Sequence, residues 1–236
     1  MIFLTGDTHG STDIHKLSSD RWLIGKTLNK SDYLIVLGDF GLIWNNDKTD
    51  EYWKGWLTSK PWTTLFIDGN HDNHELLSLL PTKQKFGNEV GVVTESIFYL
   101  KRGRVYYINN NSFFCMGGAK SIDKNLRTEH ISWWKEEIPS FEEFERGLES
   151  LSKNKIDYIL THTAPEKAAR ELLIQSSFSI AMAKSEKLDC VTKYLQQIKD
   201  TIPFKHWYCG HWHDNKIIDN IHFLYEDIIS LDKETS

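Results

Sequence analysis

The feature that most constrains this chain is a repeated ending. Short apolar runs stop at a tight turn, and the turn then offers Asp, Asn or His. Residues 2–5 lead to Gly6-Asp7-Thr8-His9, residues 33–37 to Gly38-Asp39, and residues 64–67 through Asp68 to Gly69-Asn70-His71-Asp72. Later, 156–160 leads to Thr161-His162, and 207–209 to Gly210-His211-Trp212-His213. Apolar runs of this length bounded by turn residues read as buried strands. Strands alternating with helix-patterned segments imply βαβ units and a mainly parallel sheet. Ligands of such sheets sit beyond the carboxyl ends of the strands. The five blocks therefore fall on one edge.

The connecting segments fit that plan. Ser11-Thr12-Asp13 offers N-caps for a helix running toward Ser18. An amphipathic helix is expected over 50–59, with Trp53 and Trp56 three apart. Several short strands are expected between 90 and 118, with a hairpin of 104–108 against 112–116, forming a second sheet or an extension of the first. Helix is expected from 131 to 152, interrupted at Pro139 and restarted by the capping box Ser140-Phe141-Glu142-Glu143. Two more helices are expected over 166–174 and 185–197, the second with Leu188, Val191, Leu195 and Ile198 on one face. A closing hairpin turns at Asp219-Asn220, and the polar residues from Asp232 onward should fray. No repeat or linker-like stretch divides the chain, so 1–236 is expected to be one domain.

Bulk properties narrow the function. A net charge of -5 argues against a dedicated nucleic-acid surface, although nucleic acid could still be a substrate. The three cysteines, Cys115, Cys190 and Cys209, cannot all pair, which points to a reducing, cytoplasmic compartment. The first residues have neither the basic flank nor the apolar length of a signal peptide, and no stretch is long enough to span a bilayer.

The polar residues at the strand ends form a donor set. In Asp7-x-His9 and His211-x-His213, alternate residues of an extended segment can face the same way and hold one metal. Carboxylates, an amide and several imidazoles suit Mn, Zn, Fe or Ni better than Ca or a thiolate site. The donors exceed the needs of one ion, which favours two divalent ions. His15, His74, His130, His206 and His222 lie outside the pattern and read as ordinary packing or surface residues, His74 being the nearest to the site. Cys209 reads as a packed structural cysteine.

In order, the blocks Asp7-x-His9, Gly38-Asp39, Gly69-Asn70-His71-Asp72, His162 and Gly210-His211-x-His213 match the five motif blocks of the calcineurin-like metallophosphoesterases. The resemblance runs from residue 7 to 213. It implies an α/β fold, a four-layer α/β/β/α sandwich. It also implies that Asp7, His9, Asp39 and His213 hold one metal, and that Asp39 bridges to a second bound by Asn70, His162 and His211. His71 would contact substrate as the catalytic residue. Asp72 would either orient His71 or cap the turn. The implied reaction is hydrolysis of a phosphoester by a metal-bridging hydroxide at a two-metal centre, with Mn first among the candidate ions. The substrates implied are phosphomonoesters or phosphodiesters of small molecules or nucleotides.

The second block departs from protein Ser/Thr phosphatases, which place an Asp-Arg-Gly segment next; here it continues Phe40-Gly41-Leu42-Ile43-Trp44. A protein phosphatase is thus the weaker enzymatic alternative, and a non-catalytic interaction module on the same scaffold is the rival of another class. The missing cation has candidates in residues 116–127, a segment similar to one in small bacterial and phage phosphoesterases, where Arg127 or Lys120 could clamp a phosphate. If the substrate were a diester, Trp44, Trp133, Trp134 and Trp212 would be candidates for stacking beside the metals.

Overall fold

The computed structural model describes residues 1–175 and 189–231. Three runs of apolar sequence open the first sheet: β1 (Ile2–Thr5), β2 (Tyr33–Leu37) and, after helix α1 (Lys48–Thr58), β3 (Thr63–Ile67). The short helix α2 (His74–Ser78) precedes β4 (Thr82–Lys85), β5 (Asn88–Thr94) and β6 (Ile97–Leu100). The chain then crosses to a second sheet through β7 (Arg104–Ile108), β8 (Asn111–Met116), helix α3 (Phe141–Lys153) and β9 (Tyr158–Thr161). Helices α4 (Glu166–Gln175) and α5 (Cys190–Thr201) lead to β10 (His206–Cys209), β11 (Lys216–Ile218) and β12 (Ile221–Phe223), and β13 (Ile228–Ser230) returns to the first sheet.

The first sheet runs β13-β1-β2-β3-β6-β5-β4 and the second β11-β12-β10-β9-β8-β7. Their centres are parallel: β1–β2, β2–β3 and β3–β6 in one, β8–β9, β9–β10 and β10–β12 in the other. Their margins are antiparallel, through β13 and β5–β4 in the first sheet and β7 and β11 in the second.

Strand alternation sorts the side chains into layers. Ile35, Leu37, Leu65 and Ile67 meet Phe113, Cys115, Tyr158 and Leu160 between the sheets. Their neighbours Leu34, Val36 and Phe66 turn outward against Trp22, Leu57 and Trp62. On the far side, Phe114, Ile159 and Trp207 pack on Leu151 of α3, Leu172 of α4 and Leu195 of α5. This is the expected four-layer α/β/β/α sandwich. Cys209 is fully buried in that outer layer, as expected of a packed cysteine. Among the described residues no helix is long and apolar enough to cross a membrane.

Three local expectations need correction or restriction. The segment after Asp13 is only a 3-10 turn, Ile14–Leu17, and the Asp13 side chain caps nothing because it binds His9 instead. The stretch from 131 is not α-helical: the amides of Ile131, Ser132 and Trp133 all donate to the Thr128 carbonyl, which curls the chain into a turn, and only a 3-10 turn follows at Lys135–Glu137. Helix resumes at Phe141, behind the predicted capping box on Ser140. Helix α5 begins at Cys190 with Asp189 as its N-cap, so Leu188 and the expected start at 185 lie outside the described residues, as does the tail from Asp232. Val191, Leu195 and Ile198 do share its buried face.

Candidate metal centre

The carboxyl ends of β1, β2 and β3 in one sheet and of β9 and β10 in the other reach the same edge of the sandwich. The turns there are fitted to one another at close range. A Cβ on Gly69 would lie 2.1 Å from Asp39 Oδ1 and 2.7 Å from His162 Nε2. At Gly38, where φ is +93°, a Cβ would lie 2.1 Å from His162 Nδ1. Glycine is required at both positions because the next functional side chain occupies the space of a Cβ.

Asp7 and Asp39 form the floor, both fully buried. Asp39 Oδ2 lies 3.3 Å from His9 Nε2, and its Oδ1 lies 3.3 Å from His162 Nε2. Asp39 Oδ1 also accepts the His71 backbone N–H at 2.7 Å. Asp7 Oδ2 is 3.0 Å from His213 Nε2, and Asp7 Oδ1 accepts the His211 backbone N–H at 2.9 Å. Two groups bring ligand atoms within 4.8 Å of one another: Asp7, His9 and His213, and Asp7, Asp39 and His162. Asn70 Oδ1 is 3.0 Å from His162 Nε2, and the His211 ring lies 5.0 Å from the His162 ring. All seven residues expected to bind metal therefore converge.

Their outer atoms are already engaged, which fixes the atoms that face inward. His9 donates its Nδ1–H to Asp13 at 2.6 Å, and His162 donates its Nδ1–H to the Leu37 carbonyl at 2.8 Å. Both imidazoles thus turn Nε2 toward Asp39. Asn70 donates its amide N–H to Ser121 Oγ at 3.1 Å, which leaves Oδ1 on the inside. Ser121 in turn donates to the buried Glu137 carboxylate at 2.5 Å. Such outer partners orient the donors of metal sites.

The two buried carboxylates draw positive charge to the site. Among the described residues no Lys or Arg side chain forms an ion pair with Asp7 or Asp39; their partners are imidazoles. Burial opposes charge on His162, yet Asp39 and Asp7 outweigh it and push the imidazole up to about 10. Burial is likewise overcome at His9, which Asp39, Asp7 and Asp13 raise to about 9. Both carboxylates are held low despite burial, Asp7 by His213 and His162, Asp39 by His162 and His9. A set of oxygens and imidazole nitrogens that gathers positive charge into a buried pocket fits divalent ions.

His71 and Arg127 stand at the rim. Arg127 Nη2 lies 2.5 Å from His71 Nδ1 and 2.8 Å from Nε2, while Arg127 is held by Asp123 and the Ser132 carbonyl. Burial lowers the His71 pKa, and Arg127 adds to that effect. Lys120 lines the cleft but is exposed. Asp72 does not touch His71: its carboxylate accepts the N–H groups of Phe40, Gly41 and Gly69 and ties the second block to the third, which settles it as a turn cap. Burial and the Asp39 charge raise Asp72 to about 6. Of the expected stacking residues, Trp44 and Trp212 line clefts, whereas Trp133 and Trp134 are buried.

With this geometry in view, a scan of protein families matches residues 1–215 to Calcineurin-like phosphoesterase. The chain belongs to that family. Its members carry out metal-dependent hydrolysis of phosphoesters, so this calcineurin-like phosphoesterase is a hydrolase of that class. No curated protein gives a significant match.

Several supporting residues of the phosphoesterase carry no motif signal. Lys16 is buried and donates to the carbonyls of Gly6, Asp7 and Tyr225. Tyr225 stacks on His213 at 4.5 Å. Beneath the third block, Asp68 binds Arg102 and accepts from Tyr99, while Arg102 also reaches Glu143. Only Asp13 had a readable signal, since it stands four residues after His9.

Two outcomes follow. Gly69→Ala should cost about 1–3 kcal/mol or more in urea denaturation, since its methyl group meets Asp39 and His162. His74, beside Asp68 and Arg102, is lowered to about 4 by burial and by Arg102. The unfolded chain therefore binds a proton that the folded chain refuses between pH 6.5 and 4. The His74 contribution to stability should be lost as pH drops through that window, so stability should fall less steeply in His74→Gln than in the parent.

Proposed function

We propose that this phosphoesterase hydrolyses phosphomonoesters or phosphodiesters of small molecules or nucleotides at a two-metal centre, with Mn as the first candidate and Fe, Zn or Ni as others. The observation that carries the reading is Asp39. Its two oxygens face different imidazoles, His9 on one side and His162 on the other, at the same 3.3 Å. A carboxylate so placed can serve two cations and limit their repulsion. Asp7, His9, Asp39 and His213 would hold one ion; Asp39, Asn70, His162 and His211 would hold the other. Bound there, divalent ions supply Lewis acidity and make a water more acidic near neutral pH.

The chain's own residues do the rest. Arg127 offers a guanidinium at the rim, suited to a phosphoryl oxygen. In the absence of substrate, burial and then Arg127 lower the proton affinity of His71, against the pull of Asp39. A phosphoester anion that pairs with Arg127 lifts that repulsion, so His71 gains proton affinity as the substrate arrives. It can then hold a proton for the leaving oxygen. The three cysteines are unpaired, two of them buried, in keeping with a cytoplasmic setting. We take 1–236 as one catalytic domain.

Mn-loaded protein should hydrolyse p-nitrophenyl phosphate or its bis ester. His71→Ala should lower kcat by about 100-fold or more while both ions stay bound. Asp39→Asn should impair metal loading itself. Turnover of neither ester, or unchanged turnover in both variants, contradicts the assignment.

A further inference from the structure

Two clefts open from the candidate centre in different directions. One, of about 310 Å³, passes between His9, Gly41, Leu42, Trp44, Trp53 and His71. The other, of about 820 Å³, passes Asn70, His71, Lys120, Leu172, Thr192 and Trp212. His71 lines both, so the clefts meet at the rim of the donor set. A phosphoryl group at that junction has room for an organic group on each side. A monoester carries one such group and a diester carries two.

The smaller cleft has a chemical bias of its own. No Lys or Arg is among its described lining residues. Its acids are engaged in holding backbone. Asp50 Oδ2 accepts the N–H groups of Trp44, Asn45 and Asn46 at 2.8, 2.9 and 2.7 Å, and Asp47 caps α1. A second phosphate would find no lysine or arginine to pair with there. A neutral flat ring does, because Trp44 and Trp53 form its aromatic wall.

Both indoles are held in advance. The Trp44 carbonyl accepts Asn73 Nδ2–H at 2.8 Å, which ties it to the residue following the Gly69-Asn70-His71-Asp72 block. Its ring meets Trp134 edge-on at 5.2 Å and 86°. Trp53 meets His15 edge-on at 5.1 Å and Trp56 at 5.5 Å. Rings fixed before a ligand arrives lose little entropy when it binds. The opposite cleft offers Lys120 and Lys124 beside its apolar wall, and so suits the longer, more polar arm.

From these observations we infer that the substrate is a phosphodiester with one nucleoside-like arm, whose flat ring sits in the Trp44–Trp53 cleft. The inference rests on the phosphoester reading above and adds the substrate class. The reaction consumes one water and breaks one P–O bond. It yields a phosphomonoester and an alcohol, and the alcohol oxygen takes up one proton of that water.

The test uses the full chain loaded with Mn, with p-nitrophenyl phosphate and bis(p-nitrophenyl) phosphate as probes. The diester should be preferred by at least about tenfold in kcat/KM. Trp44→Ala and Trp53→Ala should each lower kcat/KM for the diester by about tenfold, mainly through KM, and Trp44→Phe should restore most of the loss. Calorimetric titration with adenosine 5′-monophosphate, carried out on the same variants without metal, reads the cleft apart from turnover. Binding about tenfold weaker in the Ala variants is expected. Preference for the monoester, or Ala variants within twofold of the parent in both assays, overturns the inference. If neither ester is hydrolysed but the titration still distinguishes the variants, the cleft assignment stands and the catalytic reading falls.

Discussion

The structure depends on two buried carboxylates that share one edge of a sandwich. Asp7 and Asp39 end neighbouring parallel strands, and the register that pairs β1 with β2 brings them together. Burying ionised carboxylates is costly unless positive charge comes with them. The fold supplies four imidazoles from three strand ends, His9, His162 and the pair His211 and His213, and among the described residues neither carboxylate has a lysine or arginine ion pair. That choice separates a site built to receive divalent cations from a structural ion pair. The contrast lies nearby: Asp68, equally buried, is matched by Arg102 and forms a closed network that supports the third block.

Holding these groups in place strains the backbone. His9, Asp39, His211 and His213 all adopt positive φ, at 42°, 47°, 69° and 48°. Side-chain-bearing residues in that region cost on the order of 1–3 kcal/mol each unless the surroundings fix them. Cross-links between the turns do so. The His9 amide donates to the Asp39 carbonyl, Asp72 gathers three amides from two blocks, and the His211 amide donates to Asp7. Each turn is therefore stable only in the company of the others. Since they come from strands of both sheets, the packing of the sandwich core fixes the geometry of its edge.

Much of this was legible in the sequence because strand-end chemistry is local. An apolar run and a polar donor, in four of the five blocks with a glycine between them, lie within a few residues, so the pattern alone puts Asp7, Asp39, Asn70, His162 and His211 at one edge. The four layers came from the resemblance to the phosphoesterase family, because a wholly apolar run such as residues 33–37 does not show that Leu34 and Ile35 face different layers. Features set by distant partners were not legible. Asp13 looked like a helix cap because it stands in a run of N-cap residues, Ser11-Thr12-Asp13, yet its carboxylate binds His9. Ser121 and Glu137 orient Asn70 across separations of 51 and, between themselves, 16 residues. Residues 131–134 carried a helical pattern, yet the Thr128 carbonyl captured their amides. Trp53 stood out only as a tryptophan three residues from Trp56 on an expected amphipathic helix, and only the fold shows that it walls a cleft.

We propose that the Asp39 carboxylate stands between two cations. It is tested most directly by counting metal in Mn-loaded, desalted protein by mass spectrometry and recording its electron paramagnetic resonance. Two ions per chain with a spin-coupled signal are expected, both lost together in Asp39→Asn. One uncoupled ion per chain, or two ions that survive that substitution unchanged, would contradict it.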